Sequence, residues 1–242
     1  MPAALVTGAA SGIGRAAAER LIADGYDVLS VDLRDDGPGV AYAADLTTRE
    51  GNAGAVSAAI DAFGRLDVIV ANAGIQHVAP VAEFPEDRWD MIVSLLLTSP
   101  FLLAKYAWPA LAASGSGRFI VVASVHAQVA SPYKAAYVSA KHGVLGLVKT
   151  LALEGGEAGI TATAVCPGYV RTPLVEAQLP DQARRHGISE DEVLENVILA
   201  PHAVKRLIEP DEVAATIAFL AGPNGAAFTG VPVTMDLGWT AR

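Results

Sequence analysis

Three residues in the middle of the chain have the types and the spacing that proton transfer requires. Tyr137 and Lys141 stand four positions apart, so a helix would place the phenol and the ammonium group side by side. A neighbouring ammonium group stabilises a phenolate, so we expect Lys141 to lower the pKa of Tyr137 and make it a usable base. Such pairs also occur on helices without any catalytic role. Ser124 directly follows the apolar run Phe119–Ala123, and its position ahead of the pair favours the catalytic interpretation.

Glycines near the start of the chain predict a turn that binds phosphate groups. The segment from Thr7 to Gly14 reads TGAASGIG and follows the first apolar run. Glycines permit a tight turn there, and they let backbone N–H groups approach a pyrophosphate at the start of a helix. A glycine-rich turn can also be purely structural, so the position after the first strand is what favours a nucleotide site.

A carboxylate at the end of the second apolar run favours NAD over NADP. Asp32 ends the run Val28–Asp32 and could accept hydrogen bonds from the ribose hydroxyls of adenosine, whereas it would repel a 2′-phosphate. Arg34 could accommodate such a phosphate, although a surface arginine more often serves solubility. Asn72 and Gly74 follow another apolar run. Gly74 could let the backbone pass close to a ligand there, or the segment could be an ordinary turn.

Short apolar runs alternate with helical stretches along the chain. The expected strands are Ala4–Thr7, Val28–Asp32, Val68–Ala71, Arg118–Ala123, Thr161–Val165 and Val231–Met235. The expected helices are Gly14–Asp24, Thr48–Phe63, Pro85–Ser114, Ala135–Glu154 and Asp211–Ala221. This alternation predicts an α/β fold: a single-domain, Rossmann-like, doubly wound parallel sheet of about seven strands over residues 1–242, with ligands at the carboxyl ends of the strands.

Composition narrows the classes of protein to which the chain could belong. It is 52% hydrophobic and 18% charged, as a sheet buried on both faces requires. The net charge of −9, without a basic stripe, argues against nucleic acid as a partner. The one cysteine, Cys166, offers neither a disulfide nor a metal site, and we expect it to be buried. We expect no membrane-spanning apolar segment, no leader and no metal, and a cytoplasmic location.

The segment between Val170 and Pro210 differs from the rest of the chain. It is polar, its pattern is irregular, and prolines interrupt it. It is also long for a connection within a compact domain. We therefore expect a substrate lid at about 170–210.

Taken together, the motifs TGAASGIG, NAG, Ser124, YVSAK and PGYVRTP resemble those of the short-chain dehydrogenase/reductase family, in the same order and at the same intervals. The resemblance implies that Tyr137 is the acid and base at the substrate oxygen, that Ser124 hydrogen-bonds the same oxygen, and that Lys141 also holds the nicotinamide ribose. It implies a cofactor site for NAD made of Gly8, Ser11, Gly12, Ile13, Gly14, Asp32, Asp45, Leu46, Asn72, Gly74, Tyr137, Lys141, Pro167, Gly168, Val170 and Thr172.

One position departs from the pattern of the family. Leu96 stands where the family usually has an asparagine, and leucine cannot orient a water molecule that relays a proton. The change is compatible with slower turnover, with a relay through another group, or with a binding protein that has kept the fold.

Further segments resemble the bacterial (R)-3-hydroxybutyrate dehydrogenases within that family. They include Gly74-Ile75-Gln76-His77, Ser124-Val125-His126, Ser131-Pro132-Tyr133-Lys134 and the ending Gly238-Trp239-Thr240-Ala241-Arg242. The resemblance implies that Gln76, His126, Lys134 and Gln178 hold the carboxylate of a small hydroxy acid. Tyr169 stands where the subfamily usually has tryptophan, and Trp239 is expected at the substrate or in terminal packing. A homotetramer is implied as well.

Two other functions stay open at this point. Another small hydroxy acid, ketone or polyol could be the substrate, because pockets diverge while cofactor motifs persist. A nucleotide-sensing or scaffold protein with little catalysis would also fit the loss of asparagine at Leu96.

Overall fold

The apolar runs form one parallel sheet in the computed structural model, which describes residues 1–241 except for the side chains at positions 185 and 186. The strands are β1 (Ala3–Thr7), β2 (Asp27–Asp32), β3 (Val40–Ala43), β4 (Val68–Ala71), β5 (Arg118–Val122), β6 (Thr161–Pro167) and β7 (Pro232–Met235). All neighbours pair in parallel, in the order β3-β2-β1-β4-β5-β6-β7. The predicted single-domain, doubly wound α/β fold is confirmed.

Helices cover both faces of this sheet. They are α1 (Gly12–Ala23), α2 (Arg49–Phe63), α3 (Glu86–Val93), α4 (Ser99–Ala113), α5 (Ala135–Gly155), α6 (Pro173–Glu176), α7 (Leu179–His186), α8 (Glu190–Val193) and α9 (Pro210–Ala221). Alternate side chains of each strand point to opposite faces. Leu5 accordingly packs with α2, α4 and α5, while its neighbours Ala4 and Val6 pack with α1 and α9.

The order of the strands fixes where a ligand can bind. From β1 the chain first builds outward to β2 and β3, and then crosses back to place β4 on the other side of β1. Loops after β1 and β4 therefore leave the sheet in opposite directions and open a crevice at its carboxyl edge. The glycine turn follows β1, the NAG segment follows β4, and Ser124 lies just beyond β5, so all three motifs reach this edge.

Two parts of the chain differ from the expectation. The strand β3 was not among the expected strands; it is four residues long, lies at the edge of the sheet and is only partly buried, although its sequence VAYA is apolar. The segment expected to be irregular instead contains the short helices α6, α7 and α8. They pack around a small core of their own, which includes Val175, Val193 and Ile198.

The expectation that no apolar segment is long enough to span a membrane is wrong. The helices α3 and α4 join through a π-helical turn, Ser94–Thr98, into one continuous helix. This helix, Glu86–Ala113, passes the test of length and mean hydropathy for a membrane span. Its apolar composition has another explanation, because Leu103, Ala107 and Leu111 are buried against the sheet.

Candidate active site

A large cavity of about 490 Å³ opens at the carboxyl ends of the central strands. The glycine turn and Asp32 line one part of it, whereas Ser124, Tyr137 and Lys141 line another. Of the sixteen expected cofactor residues, only Gly14 is absent from its walls. A cavity of this volume, lined by a glycine turn at the start of a helix and by acid–base side chains, fits a dinucleotide better than a small ligand alone.

The backbone of the glycine turn leaves room for a phosphate group. Gly8 and Gly12 have φ angles of 67° and 54°, which favour glycine. The first N–H groups of α1 have no partner within the helix, and Ser11, Gly12 and Ile13 at its start line the cavity. Gly14 has a different role, since a Cβ there would overlap the carbonyl oxygen of Gly8 and lie 2.5 Å from Nδ2 of Asn72. It allows α1 to pack closely on β1.

Asp32 is fixed at the end of β2 by two backbone donors. The N–H groups of Ala10 and Leu33 donate to its carboxylate over 3.0 and 2.8 Å. Each carboxylate oxygen keeps an acceptor site, so Asp32 can still bind hydroxyl groups in the cavity. Arg34 instead forms an exposed ion pair with Asp36 at 3.2 Å and does not line the cavity.

Further along the cavity, backbone and side chains hold the walls in place. Asn72 donates from Nδ2 to the Thr7 carbonyl at 2.9 Å and thereby ties the loop after β4 to the glycine turn. Asp45 accepts from the backbone and the hydroxyl of Thr47 at 2.9 and 2.7 Å, and the adjacent Leu46 is buried. Asn72 thus has a structural role besides lining the cavity.

The three proton-transfer residues lie together beside β5. Ser124 follows the strand, its hydroxyl oxygen accepts from the backbone N–H of His126 at 3.1 Å, and both Ser124 and Tyr137 line the two cavities at this end. Lys141 lies one helical turn beyond Tyr137 on α5, with its Nζ 5.5 Å from the centroid of the phenol ring. That ammonium group donates to the Val122 carbonyl at 2.8 Å. The structure therefore brings the three side chains into one site.

The electrostatics of Tyr137 differ from the expectation. Burial raises the pKa of Tyr137 to about 12, and the nearby Ser124 hydroxyl opposes this only in part. Burial also lowers the pKa of Lys141 to about 8, because its charge is removed from water. The expectation that Lys141 lowers the pKa of the phenol is wrong for the protein by itself, since the cost of burying a phenolate dominates.

A second, smaller cavity of about 50 Å³ begins at Ser124 and Tyr137. All six side chains expected at the substrate line it: Gln76, His126, Lys134, Tyr169, Gln178 and Trp239. They come from separate loops and helices, so only the fold brings them together. The proximity of this cavity to the proton-transfer residues suits a small polar molecule that reacts at Tyr137.

Lys134 provides a buried positive charge in this cavity. It is 6% exposed, and its Nζ donates to the Tyr169 hydroxyl at 3.2 Å. Burial lowers the pKa of Lys134 to about 8. The residue before it, Tyr133, has a φ of 67°, an unfavourable conformation for a residue with a side chain.

Aromatic rings form one wall of the small cavity. Tyr169 and Trp239 stack with centroids 5.5 Å apart and an interplanar angle of 12°. The His126 ring meets Trp239 edge-on at 5.4 Å and Tyr137 at 5.9 Å. Burial, reinforced by the positive charges of Lys134 and His142, lowers the pKa of His126 to about 3, so its imidazole is neutral.

The two glutamines keep hydrogen-bonding capacity toward the cavity. Gln178 donates from Nε2 to the Leu174 carbonyl at 2.8 Å, and its buried Oε1 has no hydrogen-bond partner among the described residues. Gln76 accepts from the His77 backbone at 3.1 Å through its side-chain oxygen. Each side-chain amide nitrogen carries two hydrogens, so both glutamines can still donate to an anion.

Leu96 lies behind the proton-transfer residues. It occupies the π-helical turn between α3 and α4 and is 2% exposed. It packs in a cluster with Ile92, Ala136 and Ala140, against which Tyr137 also rests. The side of the site where the family usually has an asparagine is therefore apolar in this chain.

Several residues at the site were not predicted. His202 is 1% exposed, and its ring meets Tyr169 and Trp239 at 6.1 and 5.4 Å. Neither ring nitrogen of His202 has a hydrogen-bond partner within the described part of the protein. The residues next to His202 in the sequence, Pro201 and Ala203, belong to no motif that would predict its contacts with Tyr169 and Trp239. Met91, Leu95 and Val175 also line the large cavity as apolar residues without a motif.

The next question is whether side chains at this site could ligate a metal ion. Among the side chains that the structure describes, which exclude positions 185, 186 and 242, no group of three or more His, Cys, Asp or Glu residues is arranged to hold a metal ion. Cys166 is fully buried at the end of β6, and burial raises the pKa of its thiol to about 11.

Comparison with known proteins identifies the family. A family model described as enoyl-(acyl carrier protein) reductase matches residues 8–240. The chain is 41% identical to the D-beta-hydroxybutyrate dehydrogenase of Rhizobium meliloti, over 99% of this chain and 98% of that one. It is 37% identical to the enzyme of the same name from Cupriavidus necator, with coverage of 99% and 98%.

A solved structure gives the same result at the level of the fold. The ligand-free aldohexose dehydrogenase of Thermoplasma acidophilum superposes with a TM-score of 0.92 at 28% identity, covering 100% of this chain and 94% of that one. The matches extend over nearly the whole chain, and the side chains of the family motifs lie together in one site. This protein therefore belongs to the short-chain dehydrogenase/reductase family of oxidoreductases, whose dehydrogenases use a nicotinamide cofactor.

Proposed function

We propose that the protein is an NAD-dependent dehydrogenase that reversibly oxidises (R)-3-hydroxybutyrate to acetoacetate. The observation that carries this proposal is the small cavity beside Ser124 and Tyr137, in which Lys134 provides a buried positive charge. A short hydroxy acid has a carboxylate for that charge and a hydroxyl group for Tyr137. The two D-beta-hydroxybutyrate dehydrogenases among the relatives support the same substrate.

Tyr137 and Ser124 would act on the hydroxyl group of the substrate. In oxidation, Tyr137 as phenolate accepts the hydroxyl proton, and the Ser124 hydroxyl donates a hydrogen bond to the same oxygen. When bound, the oxidised nicotinamide supplies the hydride acceptor and a positive charge near the phenol. Because burial raises the pKa of Tyr137, the phenolate is scarce at neutral pH, and initial rates of oxidation should increase with pH.

The clamp residues would hold and orient the carboxylate. Lys134 is the charged member, while Gln76, Gln178 and the neutral His126 contribute hydrogen bonds. A bound carboxylate would stabilise the ammonium form of Lys134, whose pKa burial has lowered to about 8. Substrate affinity should therefore fall as the pH rises above the pKa that Lys134 has in the complex.

The contacts of Asp32 support NAD rather than NADP. Its carboxylate lines the large cavity, where a 2′-phosphate on the adenosine ribose would meet a negative charge. The nearest arginine in sequence, Arg34, is paired with Asp36 outside the cavity and does not offset that charge. Gly8, Gly12 and the first turn of α1 would hold the pyrophosphate, and Lys141 the nicotinamide ribose.

The direct test is the initial rate of oxidation with each enantiomer of 3-hydroxybutyrate and with NAD or NADP. We expect oxidation of the (R)-enantiomer with NAD, and rates at least about tenfold lower for the other three combinations. No oxidation of either enantiomer, together with rapid oxidation of another alcohol, would overturn the proposed substrate. Faster oxidation with NADP would overturn the proposed cofactor.

A second candidate is another small hydroxy acid. The Tyr169 hydroxyl faces the cavity and hydrogen-bonds to Lys134, so it could bind a polar group on the substrate that a tryptophan could not. Kinetics with a panel of hydroxy acids, ketones and polyols distinguish the two candidates. Reduction of a carrier-bound enoyl chain, the reaction named by the family description, fits a cavity of about 50 Å³ less well.

For the assembly we propose a cytoplasmic homotetramer without nucleic-acid or membrane partners. Exposed apolar side chains support self-association, since Leu153 on α5 and Phe219 on α9 are 86% and 46% exposed. Phe228 contacts Phe219 edge-on beside the edge strand β7. Light scattering after size-exclusion chromatography should give four times the mass of 24.9 kDa, and a monomer would contradict the proposal.

A further inference from the structure

A tight turn, Asp236–Thr240, follows β7 and carries Trp239 to the wall of the small cavity. The backbone N–H of Trp239 donates to the Asp236 carbonyl at 3.1 Å. Within the turn, Leu237 and Gly238 have φ angles of 53° and 84°. The positive φ is unfavourable for leucine, so contacts around the turn must hold it in this conformation.

The carboxylate of Asp236 provides such contacts from inside the turn. Its Oδ1 accepts from the backbone N–H of Gly238 at 3.0 Å. Its Oδ2 accepts from both the backbone N–H and the hydroxyl of Thr240, at 2.7 and 2.6 Å. Hydrogen bonds to a charged acceptor are stronger than neutral ones. One side chain therefore binds the residues on both sides of Trp239.

The turn is also fixed to its surroundings. The Leu237 carbonyl accepts from the backbone N–H groups of Ala203 and Val204, in the loop before α9, at 2.8 and 3.1 Å. A Cβ at Gly168 would lie 3.3 Å from Cα of Asp236, and Gly168 lines both cavities. The base of the turn thus packs directly behind the site.

Three rings surround the indole of Trp239. Tyr169 stacks on it, and His126 and His202 meet it edge-on with centroids 5.4 Å away. These ring contacts require the backbone of Trp239 to start from the right point, and the turn fixes that point. A shift of the turn would move the indole and enlarge a cavity of only about 50 Å³.

We infer that Asp236, together with Thr240, is a positioning residue for Trp239 and thereby limits the length of the substrate. Neither residue lines a cavity, so their effect on a substrate must pass through the indole. The inference rests on the proposed function. With the carboxylate of the hydroxy acid at Lys134 and its hydroxyl group at Tyr137, the methyl group remains for the apolar wall, and a longer acyl chain would meet Trp239.

The test compares kcat/KM for (R)-3-hydroxybutyrate and (R)-3-hydroxypentanoate, which differ by one methylene group. A methylene group changes kcat/KM by about 10- to 200-fold in an apolar pocket, so we expect the wild type to prefer the shorter acid at least about tenfold. Both acids carry the same charge. The loss of a charged residue in a variant therefore cancels in the ratio of the two values.

Asp236→Asn keeps the size of the side chain but has one acceptor oxygen, so it cannot accept from both Gly238 and Thr240. We expect the preference for the shorter acid to fall at least about fivefold in this variant. Asp61→Asn, on the exposed surface of α2, removes the same charge and should keep the preference of the wild type. An unchanged preference in Asp236→Asn would overturn the inference.

If Asp236→Asn does not fold, Thr240 provides a second matched pair. Thr240→Val removes the hydroxyl that donates to Asp236, whereas Thr240→Ser retains it. The valine variant should lose at least about half of the preference and the serine variant should keep it. Equal preferences in the two variants would contradict the role of this hydrogen bond.

Trp239→Ala shows whether Asp236 acts through the indole. This variant should lose the preference by itself, and the addition of Asp236→Asn should then change the ratio by less than about twofold. A further loss of several-fold in the double variant would show that Asp236 acts by another route, and the inference would fail.

A fluorine signal tests the position of the indole without turnover. The chain has three tryptophans, so labelling with 5-fluorotryptophan gives three signals by NMR, and Trp239→Phe identifies the one from Trp239. Asp236→Asn should shift or broaden that signal alone, whereas Asp61→Asn should leave all three unchanged. An unaltered Trp239 signal in Asp236→Asn would refute the positioning role. If the wild type oxidises neither acid, the proposed substrate fails, while the fluorine signal still decides whether Asp236 positions Trp239.

Discussion

Replacement of Lys134 by methionine should stabilise the protein at pH 7 and remove its affinity for a carboxylate substrate. Lys134 is 6% exposed, and its described contacts are the hydroxyl and the ring of Tyr169, at 3.2 and 5.1 Å. Neither contact has the negative charge that would compensate for burying an ammonium group. Methionine keeps most of the length and apolar contact of the side chain and removes the charge.

The magnitude follows from the pKa of Lys134, which burial lowers from 10.5 to about 8. This difference corresponds to roughly 3 kcal/mol against the charged form. Loss of the hydrogen bond to Tyr169 offsets about 1 kcal/mol, so we expect a net gain of about 2 kcal/mol at pH 7. Between pH 8 and 10.5 the unfolded chain holds a proton that the folded protein has released. The wild type therefore gains stability through this window, and the advantage of Lys134→Met should shrink.

The assay is urea unfolding at one protein concentration, at pH 7 and at pH 9.5. Lys149→Met, on the exposed surface of α5, controls for the change in net charge. The pKa of Lys141 is lowered as well, but Lys141 is present in all three proteins and cancels in the comparison. A Lys134→Met variant that is less stable than wild type, or whose advantage does not change with pH, would refute the reasoning. Acetoacetate should raise the midpoint of the wild type and not that of the variant.

Three further predictions concern single residues of the site. Tyr137→Phe should lower kcat by at least about a hundredfold while NAD binding, measured by calorimetry, survives, and near-normal turnover would contradict the proton-transfer role. Gly14→Ala should lower the free energy of unfolding by about 1 to 3 kcal/mol in urea titrations, because its methyl group overlaps the Gly8 carbonyl; unchanged stability would show that α1 can move away. Asp32→Asn should weaken NAD binding about tenfold and improve binding of NADP, and an unaltered NAD to NADP preference in rate measurements would exclude Asp32 as its source.

The sequence predicted six of the seven strands and missed β3 at one edge of the sheet. Strands such as Val68–Ala71 are buried on both faces and appear as continuous apolar runs, which identify them directly. Val40–Ala43 is as apolar in sequence, but it is only four residues long, pairs on one side and is half exposed, so its short run did not indicate a strand of the sheet. The helices within 173–198 share a small core that forms only when the segment folds back on itself, which local periodicity does not reveal.

At the site, motifs predicted which residues meet but not their protonation. The resemblance to the family placed Lys134, Tyr169 and Trp239 at the substrate, and the structure places them around one cavity. Spacing alone suggested that Lys141 would lower the pKa of Tyr137, whereas burial raises it. The sequence did not predict His202 at the site, because the rings that it contacts lie far from it in the sequence. Burial and distant contacts are properties of the folded chain, and no short motif encodes them.

The buried cysteine gives this protein a reporter of its own motions. Cys166 is the one cysteine in the sequence, and it stands at the end of β6 just before Pro167, which lines the large cavity. A thiol reagent can reach it only when this end of the strand opens, since the side chain is fully buried. The rate of labelling under native conditions therefore measures that opening without an engineered probe. A dinucleotide that binds across Pro167 and Gly168 should slow the labelling, which provides a binding assay independent of turnover.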